Sequence, residues 1–250
     1  EGHATTFAAG LATQGVRPIV TIYSTFLQRA YDSIIHDVAI QKLPVIFCMD
    51  RAGMVGEDGQ THMGLYDIAY MLAVPHMTVT APKDGAELIG LLRCALAHEG
   101  GPFSLRYPRD KAPAEAPPAA EVAPVPYGTW EILRKGKDCA ILAVGVMCKP
   151  ALEAAEALAL DVTVVNARFL KPMDREMLDA LVRDHKLLVT VEDGTVVNGF
   201  GAALAGLIQT TAPDVRVVAF GVPDRTYEHA PRAQQRAEVG LTGPGIAARI

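Results

Sequence analysis

The stretch from Asp50 to Gly64 gathers more reactive side chains than any other part of the chain: Asp50, Arg51, Glu57, Asp58, Gln60, Thr61 and His62 lie among Gly53, Gly56, Gly59 and Gly64. Glycine lets a backbone turn sharply and approach a ligand. Arginine binds anions, carboxylates accept hydrogen bonds or protons, and histidine exchanges a proton near neutral pH. By residue type alone, a solvated surface loop would look the same. Its position points to function, because it follows Pro44 to Met49, an uninterrupted apolar run. Loops leaving the carboxyl ends of buried parallel strands form the ligand crevice of α/β proteins. The C-terminal half offers less. Glu192, Asp193, Asn198, Tyr227 and His229 lie near strand ends without forming a catalytic pair, and Gly194, Gly199 and Gly201 make no Gly-x-Gly-x-x-Gly fingerprint after a strand. Asn198 reads there as the cap of an Ala/Gly-rich helix.

The elements that must position these residues follow an α/β alternation. Arg17 to Tyr23 reads as a strand. A helix then opens at Ser24, a plausible N-cap, with Leu27, Ala30, Ile34 and Val38 on one face. After the loop come a helical stretch from Leu65 to Leu72, a strand from Met77 to Thr80, and a helix from Asp84 to His98 that Gly100 and Gly101 terminate. Strands buried on both faces imply a parallel sheet. Residues 111 to 126 contain almost only Ala, Pro, Val and Glu, the composition of an extended linker. Beyond it strands are expected at Cys139 to Val144, Val162 to Val165, Leu187 to Val191 and Val215 to Phe220. The helices between them are Pro150 to Leu158, Arg175 to His185 and Gly201 to Gln209. The expectation is two doubly wound α/β domains, residues 1–110 and 127–250, joined by the linker 111–126.

Composition narrows the function classes. The chain has 250 residues, half of them hydrophobic, 20% charged, and a net charge of −5. That supports sizeable cores and offers no basic surface for nucleic acid. No apolar run approaches the ~20 residues of a membrane span. A soluble, cytoplasmic protein is expected. Cys48, Cys94, Cys139 and Cys148 have neither metal-type spacing nor disulfide density, so reduced thiols fit. The chain begins at Glu1, directly before an Ala/Gly-rich helix, which reads as a truncation.

Several motifs together carry a family resemblance. The run Asp50-Arg51-Ala52-Gly53-Met54-Val55-Gly56-Glu57-Asp58-Gly59-Gln60-Thr61-His62 resembles the pyrimidine-domain signature of the 1-deoxy-D-xylulose-5-phosphate synthases, transketolase-like thiamine-diphosphate enzymes. So do Tyr23-Ser24-Thr25-Phe26-Leu27-Gln28-Arg29-Ala30-Tyr31-Asp32 and Arg106-Tyr107-Pro108-Arg109. Transketolase proper has a related loop but lacks the Tyr-Ser-Thr-Phe run and the Arg-Tyr-Pro-Arg ending. In the second half, Val165 to Pro172 and Val191-Glu192-Asp193-Gly194 resemble the C-terminal domain of the same family. The likeness therefore covers essentially the whole chain.

The resemblance implies roles residue by residue. Glu1 corresponds to the glutamate that hydrogen-bonds the cofactor's aminopyrimidine ring, Phe26 to the aromatic packed on that ring, and Arg29 to a cofactor neighbour on the same helical face. Tyr23 corresponds to a substrate-side tyrosine, and Arg51 and Arg109 to the two arginines holding the acceptor phosphate. Asp58 and His62 correspond to groups that contact the acceptor and move protons, with His62 the favoured shuttle. Arg106 is passed over for the phosphate because Arg109 lies past the strand end.

The implied reaction joins pyruvate, with decarboxylation, to D-glyceraldehyde 3-phosphate and gives 1-deoxy-D-xylulose 5-phosphate, a precursor for isoprenoid, thiamine and pyridoxal synthesis. Its cofactors would be thiamine diphosphate and Mg2+. No Gly-Asp-Gly metal motif occurs here, so the diphosphate and metal ligands are expected from a missing N-terminal diphosphate-binding domain or chain. Glu1, at the head of the signature, motivates a separate chain in the same assembly. A homodimer with contacts in the second domain is implied as well. Two rivals stand beside this reading: another split thiamine enzyme, such as the beta subunit of a 2-oxo acid dehydrogenase, and a non-catalytic dimerisation fragment.

Overall fold

The apolar run before the glycine loop becomes β2 (Ile46–Asp50), whose first four residues are buried. It lies between β1 (Ile19–Tyr23) and β4 (Phe103–Arg106), and β3 (Thr78–Thr80) extends the sheet; all four strands run parallel. The computed structural model describes residues 1–111 and 117–250; residues 112–116, inside the expected linker, lie outside the described residues. The second sheet follows the order β10-β9-β6-β7-β5. Its strands are β5 (Glu131–Arg134), β6 (Cys139–Ala143), β7 (Val162–Asn166), β9 (Leu187–Thr195) and β10 (Arg216–Val222).

Both sheets end on an antiparallel strand, which corrects the purely parallel expectation. β5 pairs antiparallel with β7. β8 (Phe169–Lys171), from the second half of the chain, pairs antiparallel with β3 and completes the first sheet in the order β1-β2-β4-β3-β8. Sequence pattern missed β8 because three residues inside a motif carry no period. Phe169 is fully buried, and its ring meets Phe103 edge-on at 6.2 Å. The two halves thus share a seam of core rather than a bare linker.

Helix boundaries follow local hydrogen bonds. Asp84 caps the helix Gly85–Ala97 by accepting from the Glu87 amide at 2.8 Å, and the Glu87 carboxylate reaches back to the Lys83 amide at 2.7 Å. That helix ends at His98, ahead of the glycines. Asp174 caps Arg175–Asp184 in the same way through the Met177 amide. Ser24 does not cap: the chain leaves β1 so tightly that Tyr23 takes the cap position, and the buried Ser24 hydroxyl has no partner. The run that follows is not one regular helix. It passes from α (Ser24–Leu27) through 3-10 (Gln28–Ala30) and α (Tyr31–Ser33) into a π turn (Ile34–Ala39), while Leu27, Ala30, Ile34 and Val38 stay buried. Asn198 is no cap either. Gly199 holds the cap position of Phe200–Thr211, and the Glu192 carboxylate takes the free amides of Phe200 and Gly201.

All four cysteines are free and buried. Burial raises every one of these thiols, Cys48 to about 11, so none is poised as a nucleophile. Among the described residues no helix is long and apolar enough to cross a membrane.

Candidate active site

The site grows from the carboxyl ends of β1 and β2. At the end of β1, Tyr23 and Phe26 lie one short turn apart and stack with ring centroids 5.2 Å apart and planes 8° from parallel. From the loop after β2, the His62 ring approaches the edge of Phe26 at 5.2 Å and Tyr23 at 6.5 Å. Arg29, three residues after Phe26 across the α to 3-10 junction, lies on the same side; its guanidinium is 5.2 Å from the Phe26 ring centre. From there Arg29 Nη1 is 3.8 Å from Glu1 Oε1. On the other flank, the Arg51 guanidinium lies 4.0 Å above the Tyr23 ring and pairs with Asp50 at 2.7 Å. Glu1, Arg29, Phe26, Tyr23, His62 and Arg51 therefore form one continuous wall, though they come from three separate segments.

Backbone conformation makes this possible. Arg51 adopts a φ of 51°, a left-handed conformation uncommon for a side-chain-bearing residue, which turns the chain immediately after β2. Gly53 and Gly64 then exchange hydrogen bonds at 2.6 and 2.9 Å, closing the loop at its base. A Cβ at Gly64 would lie 2.1 Å from the Arg51 carbonyl oxygen, so no larger residue fits. The loop is anchored from below by Met54, Met63 and Leu65, which are buried in the apolar core of the second domain. Each such side chain contributes about 1.5–3 kcal/mol. The Thr61 hydroxyl and His62 Nδ1 are 3.0 Å apart, which orients the imidazole.

Asp58 and Arg109 form a second group. They pair with each other at 3.1 Å on the rim of a cleft of about 1180 Å³ between the two domains, which Asp50, Tyr107, Arg232 and Arg236 also line. Arg51 and Arg109, expected to share one phosphate, are held by different carboxylates, Asp50 and Asp58. Asp50 links the two groups, since it pairs with Arg51 and also faces the cleft. Arg106 is buried and clasps Asp67 at 2.6 Å and the Asp193 carbonyl at 2.8 Å, a bond across the domain seam rather than a ligand group.

The wall fits the ring end of thiamine diphosphate. A flat heteroaromatic ring needs an aromatic face and a carboxylate for its ring nitrogen, which are the groups supplied by Phe26 and Glu1. Nearby, Asp50 Oδ1 and Arg51 Nε are buried and have no partner, as expected of a polar site built to meet another molecule. Among the described residues no cluster of three or more His, Cys, Asp or Glu could hold a metal ion, so these residues do not fit the Mg2+ of the cofactor.

Sequence reasoning missed the second domain's grip on the loop. Asp193 Oδ1 accepts from the Met54 amide at 3.1 Å, Gln235 bonds Gly56, and Glu228 accepts from the Gln60 side chain at 2.7 Å. Asp193 had a signal, its place beside Glu192 at a strand end. Gln235 had none, because Arg232 to Glu238 reads as a solvated polar helix.

Comparison with known proteins gives a consistent picture. Residues 1–115 match the family model "Transketolase, pyrimidine binding domain", and residues 128–246 match "Transketolase, C-terminal domain". Over its whole length the chain is 50% identical to the 1-deoxy-D-xylulose-5-phosphate synthases of Synechococcus sp. (strain JA-2-3B'a(2-13)) and Cyanothece sp. (strain PCC 7425 / ATCC 29141), of which it spans 39% and 40%. It is 49% identical to that of Thermomicrobium roseum, again spanning 40%. The chain thus covers about two fifths of these curated relatives. Among solved structures, a split gene transketolase described as an inactive beta4 tetramer superposes with a TM-score of 0.89 at 32% identity, with 99% of this chain and 80% of that one covered.

Proposed function

Because this chain belongs to the transketolase family, we propose that it is the pyrimidine-binding and C-terminal part of a thiamine-diphosphate enzyme that joins pyruvate to D-glyceraldehyde 3-phosphate, releasing CO2 and forming 1-deoxy-D-xylulose 5-phosphate. The observation that carries the reading is the continuous wall from Glu1 through Arg29, Phe26 and Tyr23 to His62 and Arg51. Half identity to synthases over the full length favours these substrates over those of transketolase, to which the matched structure is 32% identical.

When bound, thiamine diphosphate supplies the electron sink that lets pyruvate lose CO2 and its remaining two carbons attack an aldehyde. Glu1 would hold the pyrimidine through its ring nitrogen, with Phe26 against the ring face and Arg29 fixing the Glu1 carboxylate. Tyr23 and Arg51 line the substrate side. His62, at the edge of Phe26, is placed to carry the proton that the acceptor's aldehyde oxygen gains as the new bond forms. Arg109 would exchange Asp58 for the acceptor phosphate, which frees Asp58 to accept from an acceptor hydroxyl. Remote phosphate binding of this kind orients the aldehyde carbon without taking part in bond making.

The diphosphate and Mg2+ would be held by a domain outside these residues, supplied in the assembly as in a split-gene enzyme. A homodimer in the cytoplasm completes the proposal. The test is to assay the chain with and without a diphosphate-binding domain in thiamine diphosphate, Mg2+, pyruvate and D-glyceraldehyde 3-phosphate. Product is expected only in the combination. A combination that transfers two carbons from a ketose phosphate but leaves pyruvate untouched would overturn the substrate assignment.

A further inference from the structure

The helix Arg232–Glu238 belongs to the second domain, yet it touches both arms of the Asp58–Arg109 pair. On one arm, Gln235 is 1% exposed and spends its whole amide on backbone groups. Its Oε1 accepts from the Gly56 amide at 2.9 Å, and its Nε2 donates to the Gly56 carbonyl at 3.4 Å and to the Glu228 carbonyl at 2.9 Å. Gly56 opens the 3-10 turn Gly56–Asp58 that carries Asp58. It has a φ of 69°, and a Cβ there would stand 3.0 Å from the Arg232 amide nitrogen, so turn and helix are in close contact. On the other arm, Arg232 Nη1 donates to the carbonyl of Arg109 itself at 3.2 Å, and its Nη2 binds the Asp110 carboxylate.

Glue between domains would need only apolar burial, which Met54, Met63 and Leu65 already provide. Gln235 and Arg232 do something more specific. They fix the backbone two residues before Asp58 and at Arg109, and so set where an otherwise solvent-facing pair points: the Arg109 side chain is 65% exposed and has no core to orient it. A buried amide that satisfies three backbone groups cannot shift without leaving one of them unpaired.

We infer that Gln235 and Arg232 of the second domain are positioning residues for the acceptor subsite, holding Asp58 and Arg109 in the separation and orientation that D-glyceraldehyde 3-phosphate requires. This rests on the acceptor role proposed above for that pair. It gives the second domain a part in choosing the acceptor.

Two variants test it. Gln235→Leu keeps the volume and removes every hydrogen bond; Arg232→Leu acts on the other arm, at a position whose loss threatens folding less. In the assembled enzyme each should raise KM for D-glyceraldehyde 3-phosphate by about tenfold or more, since small misplacements are costly. KM for pyruvate and the rate of pyruvate decarboxylation without acceptor should stay within about twofold. In the chain by itself, amide hydrogen exchange should quicken over residues 55–62 in the first variant and 107–110 in the second. Faster exchange with an unchanged acceptor KM would overturn the inference, as would a parallel loss in every kinetic parameter together with a lower melting temperature. If the wild-type assembly makes no product from these substrates, the functional reading fails, whereas the exchange result still reports whether the helix holds the turn.

Discussion

The chain contains the triplet Glu-Asp-Gly twice, at Glu57-Asp58-Gly59 and at Glu192-Asp193-Gly194, and the two copies meet opposite fates. Glu57 is exposed, and Asp58 faces a cleft with a single exposed arginine opposite. Glu192 and Asp193 are 0% and 1% exposed. Both oxygens of Glu192 are taken by helix amides, each at 2.9 Å, and Asp193 is shared between the Met54 amide and Arg236. A buried carboxylate whose two oxygens already accept from its own protein is closed to a ligand. The first triplet is left open at the cleft, and the second, buried with its carboxylates paired, fastens the fold.

Single substitutions separate the two triplets. The largest effect is expected from Asp193→Ala, which strands the partly buried Arg236 guanidinium and the Met54 amide; urea denaturation should show a loss of ~3–5 kcal/mol. A loss below ~1 kcal/mol would mean that the second triplet is not structural.

Next comes pH. Burial pushes the Glu192 carboxyl up to about 7, while the amides of Gly201 and Phe200 and the charge of Arg106 pull the other way. The folded value then lies above the unfolded one near ~4.3. Stability from this group is complete below the unfolded value and is lost as pH rises through the folded one. At about 1.4 kcal/mol per unit, this group should contribute ~3 kcal/mol less stability at about pH 8 than at about pH 4, a contribution read as the difference between wild type and Glu192→Gln. An identical slope in the variant would assign the titration elsewhere.

Arg109→Ala should lower kcat/KM for D-glyceraldehyde 3-phosphate by the equivalent of ~2–3 kcal/mol, without moving the urea midpoint. An equal effect on pyruvate would remove Arg109 from the acceptor subsite. The smallest effect is Asp58→Asn on stability, below ~1 kcal/mol for an exposed ion pair. A larger destabilisation there would make the two triplets alike.

Much of the fold was legible because it rests on local rules. The apolar run of β2 and the helices expected from Asp84 to His98 and from Arg175 to His185 rest on neighbours within four residues, and each formed. Ser24 and Asn198 misled because capping depends on where the preceding chain comes from: Tyr23 leaves its strand too tightly, and Glu192, a residue from β9, already holds the amides that Asn198 would have served. Of the site, Glu1, Tyr23, Phe26, Arg29, Arg51 and His62 could be named from motif and lie together. That Arg51 and Arg109 are held by different carboxylates could not be read.

From the sequence, then, came the side chains that the family resemblance links to a ring, a phosphate and a proton, since residue types and short-range motifs are written in the chain. The tertiary structure alone decided which Glu-Asp-Gly would stay open and which would be consumed, and that a glutamine at position 235 would hold a loop nearly 180 residues earlier, 179 positions from Gly56. Those outcomes depend on which donors long-range packing brings opposite each acceptor, and burial makes every such pairing obligatory.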